Sequence, residues 1–184
     1  MADAPVAPPA EDQLARLVAE HLTDVPDWPV PGVTFKDISP LLASPAAFRS
    51  VLEAMAEPFV GAVDVVAGIE ARGFVLGAPL ALVLGVGFVP IRKAGKLPGA
   101  TLAQSYDLEY GSATVEVHAD AVDRGRRVLI VDDVLATGGT AAAARELVRR
   151  AGGQPVALTV LLELGFLHGR ELLPGLDVRA ALSL

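Results

Sequence analysis

The segment VLIVDDVLATGGT, Val128 to Thr140, decides the fold because it joins an apolar run, two adjacent acids and a glycine turn. Val128 to Val131 is continuously apolar and mostly β-branched, which is typical of a strand covered on both faces of a parallel sheet. Asp132 and Asp133 follow at its carboxyl end, where open α/β sheets bind their ligands. The segment therefore predicts an α/β fold with a ligand site at this strand end.

The glycine turn after the acids has the features of an anion site. It offers consecutive backbone N–H groups without large side chains, and it opens the helical stretch AAAARELVRR. An anion there meets unpaired donors and the positive end of the helix dipole. We predict a ribose 5-phosphate site in which Asp132 and Asp133 hold the ribose hydroxyls. The predicted phosphate-binding residues, acting through their amides and the two threonine hydroxyls, are Ala136, Thr137, Gly138, Gly139 and Thr140.

A ligand-free acidic turn followed by a glycine-rich connection is the competing interpretation of this segment. Two adjacent carboxylates repel each other and paired glycines cost conformational entropy, so a purely structural role leaves both features unexplained. The segment lacks the Gly-Lys-Ser/Thr of a Walker A loop and the GxGxxG of dinucleotide folds. Kinase and dehydrogenase functions therefore have little support.

Four regions, in one order along the chain, resemble the type I phosphoribosyltransferase family. DDVLATGGT resembles its phosphoribosyl-pyrophosphate signature, in the form of the adenine-using members. PDWPVPGVTFKDISPLL, Pro26 to Leu42, resembles the base-binding segment, and GIEARGF, Gly68 to Phe74, the pyrophosphate loop. IRKAGKLPG and SYDLEYG, within Ile91 to Gly111, resemble the mobile catalytic hood. The resemblance implies a single-domain type I phosphoribosyltransferase fold of the α/β class, with a central, mostly parallel sheet flanked by helices, a small hood and a mobile loop.

The predicted pyrophosphate loop, Glu70-Ala71-Arg72, follows a predicted buried strand, so we expect it at the same sheet edge as Asp132 and Asp133. Its amides and the Arg72 guanidinium could receive a pyrophosphate, while a turn whose arginine pairs with a neighbouring carboxylate is the alternative. A peptide bond in the family's loop is often cis, and the resemblance makes Glu70–Ala71 its counterpart. Ala71 stands where the family usually has serine, which removes a hydroxyl but leaves the amides.

The stretch from Arg92 to Gly111 is predicted to be a mobile basic lid. Arg92, Lys93 and Lys96 lie among glycines and prolines, a composition typical of loops. We expect these three cations to receive pyrophosphate as well. A solvated basic loop without a ligand is the alternative.

Within SYDLEYG, alternation puts Tyr106, Leu108 and Tyr110 on one strand face and Asp107 and Glu109 on the other. Such a glutamate ordinarily faces water. The resemblance to the family's Tyr-x-Leu-Glu-Tyr motif is what implies a catalytic role for Glu109.

The base is expected at Thr34, Phe35 and Lys36. Phe35 offers a ring that can stack on a flat base, which is favourable and not specific. The resemblance implies that backbone groups of Thr34 and Lys36 read the edge of adenine. A hydrophobic staple before the helix that Ser44 caps is the alternative role for this segment.

Composition restricts the class of protein. A chain of 184 residues, 52% hydrophobic, is enough for one domain, and zero cysteines exclude disulfides and thiolate sites and fit a cytoplasmic protein. The net charge of −7 argues against a nucleic-acid partner. Met1 to Ala10 is rich in Ala and Pro and lacks the basic start and long apolar stretch of a signal peptide. We expect a disordered tail over 1–10 and one domain over 11–184.

Gly73 to Ile91 contains no charged residue and is long enough to suggest a membrane span. Glycines and prolines interrupt it, so we predict instead a buried helix near Gly77 to Leu84 and a buried strand near Gly87 to Ile91, with no membrane partner. The other predicted helices are Glu11 to Leu22 and Ser44 to Val60. The other predicted strands are Val63 to Ile69, Ser105 to Tyr110, Ala113 to His118 and Val156 to Glu163.

The resemblance implies an activity: transfer of 5-phosphoribose from phosphoribosyl pyrophosphate to adenine, giving AMP and pyrophosphate. Mg²⁺ should arrive on the substrate, since the histidines lack metal-ligand spacing and no site made by protein alone is visible. We also expect a homodimer, partly by resemblance and partly because a neighbour would hold the basic lid better than its own loop. Another purine or orotate phosphoribosyltransferase, and a regulator that binds phosphoribosyl pyrophosphate without turnover, are the alternatives.

Overall fold

A computed structural model describes residues 11–107 and 111–184. The predicted tail over 1–10 and three residues of the predicted hood, Leu108, Glu109 and Tyr110, lie outside the described residues. In chain order the helices are α1 (Glu11–Glu20), α2 (Ser39–Ala43), α3 (Pro45–Ala56), α4 (Arg72–Leu84) and α5 (Gly139–Arg150). The strands are β1 (Thr23–Val25), β2 (Phe35–Asp37), β3 (Val65–Ile69), β4 (Gly87–Lys93), β5 (Thr101–Asp107), β6 (Ser112–His118), β7 (Arg127–Leu135), β8 (Gln154–Glu163) and β9 (Asp177–Ser183).

The central sheet has seven strands in the order β5-β6-β4-β3-β7-β8-β9. In this order the five neighbouring strands β4, β3, β7, β8 and β9 pair in parallel. β5 and β6 form an antiparallel hairpin on the edge next to β4. This confirms the predicted α/β class with a mostly parallel sheet. The small β1–β2 sheet and the edge strand β9 were not predicted, because three-residue strands show no alternation and the pattern of β9 is only partly apolar.

Helices cover both faces of the sheet, which explains why its central strands are apolar throughout. Leu129 and Val131 of β7 pack into the core with α1, α3 and α4, whereas Val128 and Ile130 pack with α5 on the other face. Every residue of β3 is buried. Alternating side chains of one strand thus enter two different cores, as expected for a doubly covered parallel strand.

α4 begins at Arg72, five residues before the helix predicted from the apolar run. Gly73 and Gly77 are packing positions, whereas Gly85 ends α4 in a left-handed conformation with φ of 68°. A Cβ on Gly73 would lie 2.8 Å from the Val131 carbonyl oxygen, and one on Gly77 would lie 3.0 Å from the Phe88 ring. Glycine therefore lets α4 approach the sheet closely. Among the described residues, no helix is long and apolar enough to cross a membrane.

The predicted lid from Arg92 to Gly111 was too long. Arg92 and Lys93 end β4, and β5 already begins at Thr101, so the connecting loop is the seven-residue segment 94–100. The glycines and prolines of that loop obscured the strands on either side of it. The helix predicted from Ser44 is confirmed as α3, in which the Ser44 hydroxyl accepts a hydrogen bond from the Ala47 N–H at 3.4 Å.

Candidate active site

Asp132 and Asp133 lie where β7 extends beyond its pairing with the neighbouring strand β3. The last β3–β7 pair is Gly68 with Val131, but β7 continues to Leu135 in partnership with β8. Asp132 and Asp133 are therefore inside the strand rather than after it, which corrects the predicted strand end. The step between the two strands opens the sheet edge above the Glu70 loop and places both predicted loops at one site.

The Cβ atoms of Asp132 and Asp133 lie on opposite faces of β7, because neighbouring side chains of a strand alternate, but their carboxyl groups lie close enough to interact. Asp133, 5% exposed, pairs with Arg72 at the start of α4, with 2.7 Å between Oδ2 and Nη2. Asp132 instead lines a cavity of about 150 Å³ together with the glycine turn after β7. The two neighbouring acids thus have different surroundings.

The pKa of Asp132 is raised well above its ordinary value, first because burial penalises the charged carboxylate and second because Asp133 lies beside it. The Asp133 N–H donates a 2.8 Å hydrogen bond to Oδ1 of Asp132, which offsets part of this increase. An acid kept at such a disadvantage stabilises the fold little, so its presence favours a role in binding.

We predict that Asp132→Asn raises the melting temperature by a few degrees at pH 8 and by less at pH 4. A raised folded-state pKa means that wild type loses stability as pH rises from the unfolded pKa, about 3.9, through the folded value. Asparagine has no such loss and can still accept the Asp133 N–H. Thermal unfolding of both proteins at the two pH values checks this, with Asp120→Asn, an exposed acid, as the control. An equal change at both pH values would contradict it.

The phosphate turn has the geometry expected for an anion site at a helix start. Gly138 adopts a left-handed conformation with φ of 87°, and α5 begins at Gly139. No side chain of the described residues caps this helix start, so amide groups of its first turn remain for a ligand. The side chain of Thr137 is exposed and that of Thr140 half-buried, at the mouth of the cavity that Asp132 lines.

Gly169, which the sequence did not single out, supports the phosphate turn from behind. A Cβ on Gly138 would collide with the carbonyl oxygen of Gly169, and a Cβ on Gly169 would collide with that of Ala136. Two backbones approach here without side chains between them. No local pattern marks such a contact, because its partners are 31 residues apart.

An ion pair holds the segment that carries Gly169. Arg170 donates to both carboxylate oxygens of Glu163, at 2.6 and 2.7 Å, and to the Val178 carbonyl at 2.6 Å. Glu163 is buried at the end of β8, and the Arg170 hydrogen bonds lower its pKa despite that burial. This bidentate pair is the second element of the site that the sequence did not predict.

The predicted base segment lies against Arg72. The Arg72 guanidinium carbon is 4.8 Å from the centroid of the Phe35 ring, and Trp28 meets the same ring edge-on with centroids 4.4 Å apart. Arg72 therefore contacts Phe35 and Asp133 at once and joins the base segment to the ribose acids. Lys36 turns its side chain away to Asp24, at 2.7 Å, and Thr34 is exposed.

Glu70 links the predicted pyrophosphate loop to the end of β4. Its carboxylate accepts hydrogen bonds from the Arg92 guanidinium, at 3.2 and 3.3 Å, and from the Lys93 N–H at 2.9 Å. These contacts, Arg92 first, lower its pKa. A carboxylate would repel pyrophosphate, and the Glu70 N–H already donates to the Ile91 carbonyl at 2.8 Å. Ala71 and Arg72 are therefore the residues of this loop left for that ligand. The Glu70–Ala71 peptide is cis.

Comparison with known proteins defines the class. Residues 38–171 match the family model described as the phosphoribosyl transferase domain, and the chain therefore belongs to the phosphoribosyltransferase family. This confirms the family predicted from the four sequence regions.

Relatives and solved structures narrow the class to one branch. The adenine phosphoribosyltransferase of Thermobifida fusca is 63% identical over 168 residues, 91% of this chain and 96% of that one. The crystal structure of the Thermoanaerobacter pseudethanolicus enzyme of the same name has a TM-score of 0.89 at 45% identity, covering 95% and 100% of the two chains. The Saccharomyces cerevisiae enzyme, solved with an imino-altritol bisphosphate and adenine, gives 0.89 at 39% identity, covering 93% and 99%. Within its family the chain groups with the adenine phosphoribosyltransferases.

Proposed function

We propose how this chain performs the activity of its branch, the transfer of 5-phosphoribose from phosphoribosyl pyrophosphate to adenine. The observation that carries the proposal is Arg72, which contacts the base segment at Phe35 and the ribose acid Asp133 from one position. Base, sugar and leaving group must meet at one carbon atom of the ribose. A single cation between the base and sugar sites is placed where that meeting occurs.

The 5-phosphate binds at the turn from Ala136 to Thr140, where amides of the α5 start and the two threonine hydroxyls surround it. Asp132 and Asp133 take the ribose hydroxyls with their neighbouring carboxyl groups. Because Asp133 is already paired with Arg72, the sugar must either share Asp133 with this cation or displace it. Sharing keeps Arg72 beside the ribose, whereas displacement frees its guanidinium for the leaving pyrophosphate.

The leaving pyrophosphate is received by cations and amides along the sheet edge. Arg72, Lys93 and Lys96 supply positive charge, the Ala71 N–H supplies a donor, and Arg92 holds Glu70, whose own N–H donates to the Ile91 carbonyl. Bond cleavage builds positive charge on the ribose and negative charge on the pyrophosphate. Catalysis therefore rests on positioning and on preorganised charge rather than on a protein nucleophile.

Adenine stacks on Phe35 and is read by the main chain of Thr34 and Lys36. Within the described chain β2 pairs with β1 alone, so its other edge has backbone donors and acceptors for a base. The Lys36 ammonium is engaged by Asp24 and does not compete. Glu109, which lies outside the described residues, is proposed from its motif to manage the proton on adenine.

Mg²⁺ bound to the substrate would neutralise charge on the leaving pyrophosphate. The residues fit a metal held mainly by substrate oxygens, since Asp133 is paired with an arginine and the raised pKa of Asp132 disfavours its charged form. In the ranges 11–107 and 111–184, no three His, Asp or Glu side chains form a metal cluster. We keep the cytoplasm as the proposed compartment, because the chain contains no cysteine.

The decisive experiment for this function is base-dependent pyrophosphate release. Purified protein with phosphoribosyl pyrophosphate and Mg²⁺ should release pyrophosphate with adenine and much less with hypoxanthine, guanine, xanthine or orotate. A preference for another base would move the chain to a different specificity. Tight substrate binding without release would indicate a regulator.

A homodimer is also proposed, although the structure removes one of its arguments. The segment 92–97 is held within its own chain by Glu70 and Glu116, so no neighbour is needed to hold it. The outer face of α4 gives a better argument, because Val75, Leu82 and Val83 are exposed there and Leu82 is 82% exposed. Such an apolar helix face is typical of a surface that a second copy covers.

We expect Leu82→Lys to convert the dimer into monomers. A charge buried at an apolar contact without a partner opposes association. Light scattering at micromolar concentration should give twice the mass of one chain for wild type and the mass of one chain for the variant. Val60→Lys, which changes an exposed apolar residue outside α4, is the matched control. Equal masses for wild type and Leu82→Lys would contradict this interface.

A further inference from the structure

Glu116 is a buried carboxylate that none of the assigned roles uses. It lies in the middle of β6, is 6% exposed, and has Val115 and Val117 as neighbours whose side chains enter the core beneath α5. By alternation Glu116 projects to the opposite face, on the side of its cross-strand partner Arg92. A buried acid at such a position needs a reason, because burial without partners is unfavourable.

The partners of Glu116 belong to the loop between β4 and β5. One oxygen, Oε1, accepts hydrogen bonds from the N–H groups of Lys96 and Leu97, each at 3.0 Å. The other oxygen accepts from the Thr101 hydroxyl at 3.4 Å. The Leu97 N–H is the largest cause that lowers the pKa of Glu116, against the effect of burial. Glu116 is thus an ionised acceptor for the turn that contains Lys96.

Lys96 is held from its other side by Arg92. Nη1 of Arg92 donates to the Lys96 carbonyl at 2.9 Å, while Nη2 of the same guanidinium lies 3.2 Å from Glu70. Both peptide groups of Lys96 are therefore fixed, one by Glu116 and one by Arg92. The Lys96 side chain is exposed and begins from a backbone that two charged residues have positioned.

We propose that Glu116 is a positioning residue for the transfer reaction, which sets the Lys96 backbone so that its ammonium meets the pyrophosphate of the substrate. This inference rests on the proposed role of Lys96. A lysine is a flexible point charge, and less conformational freedom is lost on binding when its backbone is already fixed. Glu116 would act through Lys96 without touching the substrate.

The test first compares three Glu116 variants with wild type by steady-state kinetics and melting temperature. Glu116→Val, which suits a strand but accepts no hydrogen bond, should raise KM for phosphoribosyl pyrophosphate about tenfold and change KM for adenine less than about twofold. Glu116→Asp withdraws the carboxylate by about 1.5 Å, one C–C bond, and should raise the same KM severalfold. If Glu116→Val does not fold, Glu116→Asp is the variant that tests the proposal. Glu116→Gln should stay within about threefold of wild type, because its amide oxygen can accept both N–H groups and its NH₂ can donate to Thr101.

Lys96→Met, alone and combined with Glu116→Val or Glu116→Asp, separates positioning from general stability. In the Lys96→Met background the Glu116 change should raise KM for phosphoribosyl pyrophosphate less than about twofold. An equal increase in both backgrounds would show a merely structural residue and overturn the proposal. If Lys96→Met raises KM but the Glu116 changes do not, positioning is wrong while the lysine role stands. If Lys96→Met itself has no effect, the proposed role of Lys96 fails first.

Discussion

Gly138→Ala is expected to lower the melting temperature and to remove most activity. At φ of 87° an L-residue costs about 1–2 kcal/mol, and the added Cβ would lie 3.0 Å from the Gly169 carbonyl carbon, with the carbonyl oxygen closer still. Overpacking of this kind costs about 1–3 kcal/mol more. For a chain of this size the sum of roughly 2–5 kcal/mol corresponds to a decrease of about 4–20 °C.

The loss of activity should exceed the loss of stability, because the strained backbone belongs to the proposed phosphate site. A shift of about 1 Å in a positioning group can cost about a hundredfold in rate, so kcat/KM for phosphoribosyl pyrophosphate should fall by about that factor. Gly175→Ala is the matched control, with φ of 73° and nothing within 4 Å of its Cβ. It should lose only the left-handed component of about 1–2 kcal/mol, which corresponds to about 2–8 °C, and keep its activity. Equal behaviour of the two variants would refute the Gly138–Gly169 contact.

Glu109→Gln should reduce turnover by roughly 10²–10⁴-fold, the usual contribution of a positioned acid or base. The change preserves side-chain shape and removes the charge that would take or give the adenine proton. Binding of phosphoribosyl pyrophosphate should change little, since Glu109 is proposed to act on the base. The measurement is kcat with adenine and phosphoribosyl pyrophosphate both saturating.

A surface glutamate would behave differently, and the two outcomes are far apart. Exposed substitutions usually change stability by less than ±0.5 kcal/mol, and Asp120→Asn provides that baseline in the same protein. If Glu109→Gln keeps turnover within about twofold of wild type, the catalytic assignment is wrong. The base-proton role would then need another residue.

The parts of the site that local sequence encodes could be predicted. A strand, two acids and a glycine turn occur within thirteen residues, and their order is enough to predict a site at a sheet edge, whose binding of a sugar phosphate stays a prediction. The turn at Gly138 and the start of α5 appear where that order puts them. The bounds of β4, β5 and α4 were less accurate, because glycines that serve packing resemble glycines that end elements.

The parts that depend on distant residues could not be predicted. Arg72 pairs with an acid 61 positions away, Glu116 holds a turn 20 positions before it, and Gly169 supports a glycine across two backbones. Each partner looks ordinary in its own stretch of sequence. Only the folded sheet, which brings β3, β6 and β7 into one layer, gives these residues their roles.

Trp28 gives the base site an optical reporter of its own. It is the single tryptophan of the chain, is 51% exposed, and stands edge-on to the ring proposed to stack on adenine. With excitation that spares tyrosine, the fluorescence of the unlabelled enzyme originates beside that ring. Stopped-flow mixing with each substrate separately can therefore follow base-site occupancy in real time, on the native sequence and without a dye.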